Sequence, residues 1–105
     1  MAKYLYTYHG GVGMETTEDK MAEVMALWGA WFAELGDSIV DPGHPVGRSQ
    51  TVGAGGAVTD GGGGNPATGY TILSAASLDE AVTKAKGCPS LADGGSVEVS
   101  ELIDM

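Results

Sequence analysis

The first predicted strand is an alternation of side chains over residues 4–8, Tyr-Leu-Tyr-Thr-Tyr. The three tyrosines share one side with period two, while Leu5 and Thr7 share the other, a pattern typical of a β-strand. His9 continues the Leu5 side, and Gly10 and Gly11 follow it directly. The strand therefore ends by presenting an imidazole beside backbone that has no side chains.

A helix is predicted next, because apolar residues recur at steps of three and four. The positions are Met21, Val24, Met25, Trp28, Trp31, Phe32 and Leu35. Thr17 is placed to cap the first turn with its hydroxyl, and Gly36 is placed to end the helix. We expect this stripe to pack on the sheet.

The middle third of the chain, residues 37–69, is short of large side chains and rich in glycine. The segments "SIV" and "SQTV" are candidate strands, and "TDGGGGNPATG" is a long connection. Turn-forming residues dominate this region, so its pattern predicts less than the flanking segments do.

The second half repeats the strand and helix signals. Residues 69–75 predict a central strand, and Ser77 with Glu80 forms a capping box that opens a second helix. Residues 96–100 alternate as a last strand. The order is that of a ferredoxin-like βαββαβ fold of the α+β class, a four-stranded antiparallel sheet with two helices on one face. We expect a single domain over residues 1–105.

A homodimer is expected because both sheet faces carry apolar side chains. Tyr6 and Ile72 lie on one side of their strands, and Leu5 and Leu73 lie on the other. Two helices can cover only one face, so the other needs a second layer. A second copy of the sheet is the simplest source of that layer.

Charge and composition restrict the partners. The formal net charge of −9 repels phosphate backbones, so a nucleic-acid partner is not expected. No apolar run reaches the ~20 residues of a membrane span, and the first residues lack the apolar stretch of a secretory signal. With Cys88 as the single cysteine, the expected location is the cytoplasm.

Segments along nearly the whole chain resemble the YCII-related family, in particular its DGPF-like branch of small bacterial proteins. They are "YLYTYHGG", "WGAWFAELG", "DPGHPVG", "TDGGGGNPATGYTIL", "SLDEAVTKAKGCP" and "GGSVEV". The resemblance implies a dimeric α+β barrel built from ferredoxin-like protomers. It also implies a pocket for small-molecule chemistry that uses no cofactor.

Two departures from the family pattern limit what the resemblance implies about the site. The YCII branch is associated with a His–Asp dyad whose histidine lies on the first helix, but this helix carries none. The "DGPF" signature is replaced by Asp60 and three glycines, which keeps the turn and loses the proline and phenylalanine. That dyad is therefore not transferred to this chain.

The candidate catalytic residues are His9, Asp41 and Asp60. His9 is a candidate general base, since an imidazole titrates near neutrality and the glycines beside it admit a ligand. The alternative is a strand-end histidine bonded to a turn. Asp41 can orient an imidazole or take a proton, and Asp60 can hold a polar ligand group. Asp41 also fits an Asp-Pro-Gly turn with a solvated tip, and Asp60 also fits an Asx turn.

The candidate ligand-binding residues are His44, Trp31, Tyr70 and Asn65. His44 follows Asp41 by three residues in the turn "DPGHPVG". Trp31 lies on the flank of the helical stripe, where it can line a pocket or meet a partner chain. Trp28 lies in the middle of the stripe and is expected in the core. Cys88 fits a small buried hydrophobic residue better than a nucleophile.

Several familiar sites are not supported by the spacing. Thr16 and Val58 stand where a dinucleotide fingerprint needs its third glycine, and no Gly-Lys-Ser/Thr follows the four glycines of residues 61–64. A metal would have to be bound by His9, His44, Asp41 and Asp60 without any short ligand spacing. We therefore expect neither a metal nor a cofactor.

Two functional hypotheses of different class remain. The first is a cofactor-independent lyase or isomerase acting on a small metabolite, with His9 as base and Asp41 or Asp60 as its partner. The second is a non-catalytic dimeric module that binds a metabolite or a partner protein. An imidazole close to a carboxylate in a closed cavity favours the enzyme, and an imidazole bonded only to backbone favours the module.

Overall fold

The computed structural model describes residues 2–10 and 17–104 of the chain. These residues form an α+β fold with six strands and two α-helices. The elements are β1 (Ala2–His9), α1 (Glu18–Leu35), β2 (Ile39–Asp41), β3 (Gln50–Val52), β4 (Val58–Asp60), β5 (Ala67–Ala75), α2 (Leu78–Ala85) and β6 (Ser96–Glu101). Two 3₁₀ turns, Gly36–Ser38 and Pro89–Asp93, follow α1 and α2. The expected role of Gly11 beside His9 falls outside the described residues.

The main sheet has four antiparallel strands in the spatial order β2-β5-β1-β6. The two long strands, β1 and β5, lie at its centre, and Leu5 is directly opposite Ile72 across them. On the other side of β1, Tyr6 is opposite Val99 of β6. The expected four-stranded antiparallel sheet is confirmed.

Both helices begin at the residues that the sequence predicts. The Thr17 hydroxyl accepts a hydrogen bond from the Lys20 backbone N–H at 3.1 Å, and the Ser77 hydroxyl accepts one from the Glu80 N–H at 3.1 Å. These caps satisfy backbone donors that a helix start leaves unpaired. Gly36 ends α1 with a positive φ of 52°, a conformation that glycine adopts without strain.

The core lies between the tyrosine side of β1 and the two helices. Tyr4, Tyr6 and Tyr8 are buried there with Trp31 of α1 and Ala81 of α2. The Tyr6 hydroxyl donates to the Ala81 carbonyl at 2.5 Å, which joins the sheet to α2. Since one cluster contains buried residues of both helices, α1 and α2 pack on the same sheet face.

The pairing of side chains on the two sheet faces differs from the expectation. Tyr6 and Leu73 share the helix-covered face, and each is 0% exposed. Leu5 and Ile72, which are cross-strand partners, are half-buried on the opposite face. We call this second surface the far face, defined by Leu5, Thr7, His9 and Ile72. The sequence placed Leu5 with Leu73 because it could not give the register between β1 and β5.

The glycine-rich middle third contributes an edge strand to the main sheet and also forms a small separate sheet. The predicted segment "SIV" corresponds to β2, at the edge of the main sheet. The predicted segment "SQTV" corresponds to β3, which pairs with β4 alone. All residues of β3 and β4 are exposed. A bridge between Pro45 and Gly69 closes the base of this hairpin. The β3–β4 hairpin therefore stands apart from the core.

Candidate functional site

A cleft of about 320 Å³ lies at the end of the core where β1 and α1 meet the turn after β2. Five parts of the fold contribute residues to it, namely the end of β1, α1, the Pro42–Pro45 turn, the start of β5 and the 3₁₀ turn after α2. Its lining includes Tyr8, Met21, Trp28, Phe32, His44 and Tyr70. Concave sites with a mostly apolar lining and a few polar groups are typical of small-molecule binding.

An aromatic wall forms one side of this cleft. The ring of Trp28 lies 4.9 Å from that of Tyr8 at an interplanar angle of 86°. It lies 5.8 Å from the ring of Phe32 at 81°. These edge-to-face contacts hold the Trp28 indole in a fixed orientation. The wall is therefore rigid and apolar.

The two tryptophans of α1 have the opposite environments to those that the sequence predicts, which placed Trp28 in the core and Trp31 at a pocket or a partner chain. Trp31 is only 3% exposed, stacks on Tyr6 at 5.9 Å and donates from Nε1 to the Lys84 carbonyl at 3.2 Å. It is a core residue, whereas the half-buried Trp28 lines the cleft. The helical stripe spans more than 100°, so its periodicity alone does not say which flank meets the sheet.

Two consecutive hydrogen bonds link the aromatic wall to the turn after β2. The Tyr8 hydroxyl donates to Thr71 Oγ1 at 2.7 Å, and that hydroxyl donates to the Pro42 carbonyl at 2.9 Å. The Tyr8 phenol is protonated at neutral pH, as an ordinary tyrosine is, and burial raises its pKa further. The chain of bonds fixes Tyr8 and the turn relative to each other.

The turn after β2 uses Asp41 as a structural residue. Its Oδ1 accepts a hydrogen bond from the Gly43 N–H at 2.9 Å, which is consistent with the Asp-Pro-Gly turn that the sequence offered as an alternative. The His44 carbonyl accepts from the Tyr70 N–H at 3.3 Å, and the two rings lie 6.4 Å apart. Of the four predicted ligand-binding residues, His44 and Tyr70 therefore lie at the cleft.

His9 lies on the far face instead of at the cleft. Its Nδ1 is 3.0 Å from the Asn65 carbonyl and 3.2 Å from the Pro66 carbonyl, while its Nε2 is 3.1 Å from Glu98 Oε1. Both nitrogens thus face acceptors, so whichever nitrogen carries a hydrogen can donate it to one of these groups. Asn65 contributes its backbone oxygen to this arrangement.

The structure does not bring together the three predicted catalytic residues. His9 is on the far face, Asp41 is bonded within its turn, and Asp60 is exposed at the end of β4, opposite Gln50. None of the three is among the residues that line the cleft. Their catalytic role stays a prediction.

Among the cleft residues that were not predicted, two polar ones come from the segment that follows α2. Ser90 and Asp93 reach the cleft from the 3₁₀ turn after α2. Asp93 Oδ1 lies 3.6 Å from the Lys20 ammonium of α1. The sequence carries a signal only for the turn itself, namely Pro89 at its first position, and none for its packing against α1.

Cys88 is buried beside Ser90, and the two side chains are 3.2 Å apart from Sγ to Oγ. Burial raises the pKa of the Cys88 thiol, which favours the protonated form over the thiolate. The expectation of a buried hydrophobic cysteine is confirmed.

Neither a metal cluster nor a membrane-spanning helix occurs in the part of the chain that is described. Residues 2–10 and 17–104 contain no group of three or more His, Cys, Asp or Glu side chains that could hold a metal ion. Within the same ranges, no helix combines the length and the apolar character that crossing a bilayer needs.

Comparison with known proteins leaves the family unassigned. No model of a known protein family matches this chain, and no curated protein matches it.

Proposed function

We propose that this chain is a binding module for a small, largely apolar molecule, which it holds in the cleft beside Trp28. The observation that carries the proposal is the aromatic wall of Tyr8, Trp28 and Phe32 around a cleft of about 320 Å³. Met21 and Met25 extend this apolar lining, and their flexible thioethers adapt to ligands of different shape. A volume of this size is at the lower end of typical ligand pockets.

Binding without proton transfer is favoured over catalysis by the position of the strongest candidate base. A general base needs a lone pair that reaches the substrate. The nitrogens of His9 face two carbonyls and the Glu98 carboxylate, and the side chain lies outside the cleft lining. The Tyr8 phenol is protonated at neutral pH, and its proton is donated to Thr71.

A cofactor-independent lyase or isomerase is the second candidate, and one observation supports it. His9 Nε2 and Glu98 Oε1 are 3.1 Å apart, the arrangement in which a carboxylate orients an imidazole. Because this pair is on the far face, an active site that used it would lie between the sheets of two protomers. The enzyme hypothesis therefore depends on the dimer.

We also propose a homodimer of ferredoxin-like protomers, as in the dimeric α+β barrels of the YCII-related family. The strand order β2-β5-β1-β6 supports the ferredoxin-like assignment, since the small β3–β4 sheet reads as an insertion between its second and third strands. The half-buried Leu5 and Ile72 support the dimer, because both helices pack on the opposite face. A partner sheet would bury this apolar surface.

The binding proposal is tested by a ligand screen that follows thermal unfolding. A ligand at 100 times its dissociation constant should stabilise the protein by about 2.7 kcal/mol. Hits should also change the fluorescence of Trp28, while a Trp28→Phe variant should bind more weakly, give a smaller thermal shift and lose most of that change. Trp31 remains in this variant as an internal reference from the core.

A matched pair of variants on α1 locates the site. Met25 is 63% exposed and lines the cleft, while Leu27 is 51% exposed and does not. Met25→Gln should weaken binding about fivefold, since about 1 kcal/mol of apolar contact is lost. Leu27→Gln should leave binding unchanged. Equal effects of the two substitutions, or a broad screen without any hit, would contradict a ligand site at this cleft.

A further inference from the structure

Charge at the cleft restricts the chemical class of its ligand, a step that rests on the binding function proposed above. Among the described residues that line the cleft, none is Lys or Arg. The lining does include the carboxylate residue Asp93, and the whole chain carries a net charge of −9. An anionic metabolite would find neither a lysine nor an arginine in this lining, and the overall field would repel it.

One cation lies beside the carboxylate of the cleft and is already paired with it. The Lys20 ammonium lies 3.6 Å from Asp93 Oδ1, and the two side chains are 43% and 22% exposed. Such a partly exposed pair at 3.6 Å is weak, because water screens it and the long lysine side chain loses rotational freedom. A ligand cation can therefore compete with Lys20 for the same carboxylate.

The aromatic wall adds a second attraction for positive charge. The faces of Trp, Tyr and Phe rings carry negative potential, and tryptophan attracts cations most strongly. Trp28 is central in this wall, in edge-to-face contact with both Tyr8 and Phe32. The cleft thus combines apolar surface, an indole and a carboxylate, a combination that suits a molecule with an apolar body and a positive charge.

We propose that the cleft binds a hydrophobic organic cation, an amine with an aromatic or aliphatic body. Its apolar body packs against Met21, Trp28 and Phe32, and its ammonium group takes the place of the Lys20 ammonium at Asp93. Neutral molecules of the same shape bind more weakly because they leave Asp93 with Lys20. Carboxylates bind most weakly of all.

Three probes of similar shape test the charge preference on the full chain at pH 7 and low salt. They are 2-phenylethylammonium, 2-phenylethanol and 3-phenylpropanoate, followed by Trp28 fluorescence and by calorimetry. The ammonium should bind about tenfold tighter than the alcohol, as expected for one ion pair together with one cation–π contact. The carboxylate should bind more weakly than the alcohol.

Variants at the carboxylate separate a direct contact from the general field of the protein. Asp93→Asn should remove most of the advantage of the ammonium, measured as the ratio of its dissociation constant to that of 2-phenylethanol in the same variant. Asp79→Asn removes the same charge from an exposed position on α2 that does not line the cleft, and should keep the advantage. Lys20→Met should strengthen ammonium binding about threefold, because the competing cation is gone. A purely structural role of the Lys20–Asp93 pair predicts no such gain.

The outcomes distinguish the ligand class from the existence of the site. Binding of 2-phenylethanol or 3-phenylpropanoate as tightly as the ammonium overturns the cation preference and leaves the cleft as a binding site. An ammonium advantage that survives Asp93→Asn also overturns it. Absence of any response to the three probes overturns the cation proposal, and the broad ligand screen then decides on the cleft itself.

Discussion

His9 Nε2 lies 3.1 Å from Glu98 Oε1, across the pair of strands formed by β1 and β6. The histidine side chain is only 11% exposed, whereas the glutamate side chain is 63% exposed. Nδ1 on the other edge of the ring faces the Asn65 and Pro66 carbonyls that precede β5. One imidazole thus connects the end of β1 to both of its neighbours.

His9→Ala should therefore lower the free energy of unfolding by about 1 kcal/mol, because the imidazole loses its contacts with the Asn65 and Pro66 carbonyls and with the exposed Glu98 carboxylate. Binding at the cleft should not change. Glu98→Gln keeps an oxygen acceptor on an exposed side chain and should cost less than 1 kcal/mol. Urea unfolding and the ligand titration measure the two quantities. Loss of ligand response without loss of stability would instead support His9 as a functional residue.

The proposed homodimer is tested by lysine substitutions at two adjacent residues of β5, Ile72 and Leu73. Ile72→Lys puts an ammonium on the far face and should give a folded monomer, since an unpaired charge in an interface is costly. Leu73 is fully buried beneath the helices, so Leu73→Lys should unfold the chain. The unmodified protein should sediment at micromolar concentration with about twice its 10.6 kDa chain mass.

Val58→Lys is the control for this experiment, because it adds the same charge to an exposed position of the β3–β4 hairpin. It should leave the protein dimeric. If the unmodified chain is a stable monomer, both the dimer and the dimeric barrel assignment are wrong.

The Tyr6 hydroxyl should make stability depend on pH in the alkaline range. Burial raises the pKa of Tyr6 from its usual value of 10.0 to about 12. The unfolded chain releases this proton near pH 10, whereas the folded chain retains it until about pH 12. The contribution is fully present below pH 10 and is lost as the pH rises from there to about 12.

Tyr6→Phe tests that contribution. The variant should be about 1–2 kcal/mol less stable at pH 7, because the Ala81 carbonyl loses its buried donor. It should also lose less stability than the unmodified protein between pH 9 and pH 11. Parallel stability curves for the two proteins over this range would show that the Tyr6 phenol does not contribute to the alkaline transition.

Gly43 should be intolerant of any side chain. Its φ is +75°, and a Cβ atom built there would lie 1.8 Å from the Tyr70 carbonyl oxygen. Gly43→Ala should therefore destabilise the fold by more than about 2 kcal/mol and distort the cleft at His44. Gly47→Ala is the matched control, since a Cβ there meets nothing within 4 Å. Thermal unfolding compares the two variants, and equal melting temperatures would contradict the close approach at Gly43.

The local features of this fold could be predicted from the sequence because short-range chemistry determines them. The tyrosine alternation in β1, the Thr17 cap and the Ser77 cap all depend on residues within one turn or one strand. Non-local choices could not be predicted in the same way. The helices pack on the tyrosine side of β1, so Tyr8 lines the cleft and His9 lies on the far face. The alternation of side chains in β1 would fit equally well with helices on the other side.

The candidate site was only partly predictable for the same reason. His44 and Tyr70 come together across a backbone bond between the turn and β5. Trp28 and Trp31 are three residues apart on one stripe, and only packing against Tyr6 and Tyr8 distinguishes them. Asp93 belongs to a 3₁₀ turn whose contact with Lys20 joins positions far apart in sequence. A long-range contact of this kind has no local sequence signal.

The β3–β4 hairpin is a suitable place to insert a label into this protein. Hydrogen bonds from Val46 N–H to the Thr68 carbonyl and from Tyr70 N–H to the His44 carbonyl close its base. Its tip, residues 53–57, is exposed and rich in glycine. A peptide tag or a fluorophore inserted there would be held outside the main sheet, and a protease cut there would leave both halves attached through β2 and β5. The hairpin tip is thus the point at which the chain can be labelled, lengthened or opened without disturbing the aromatic core.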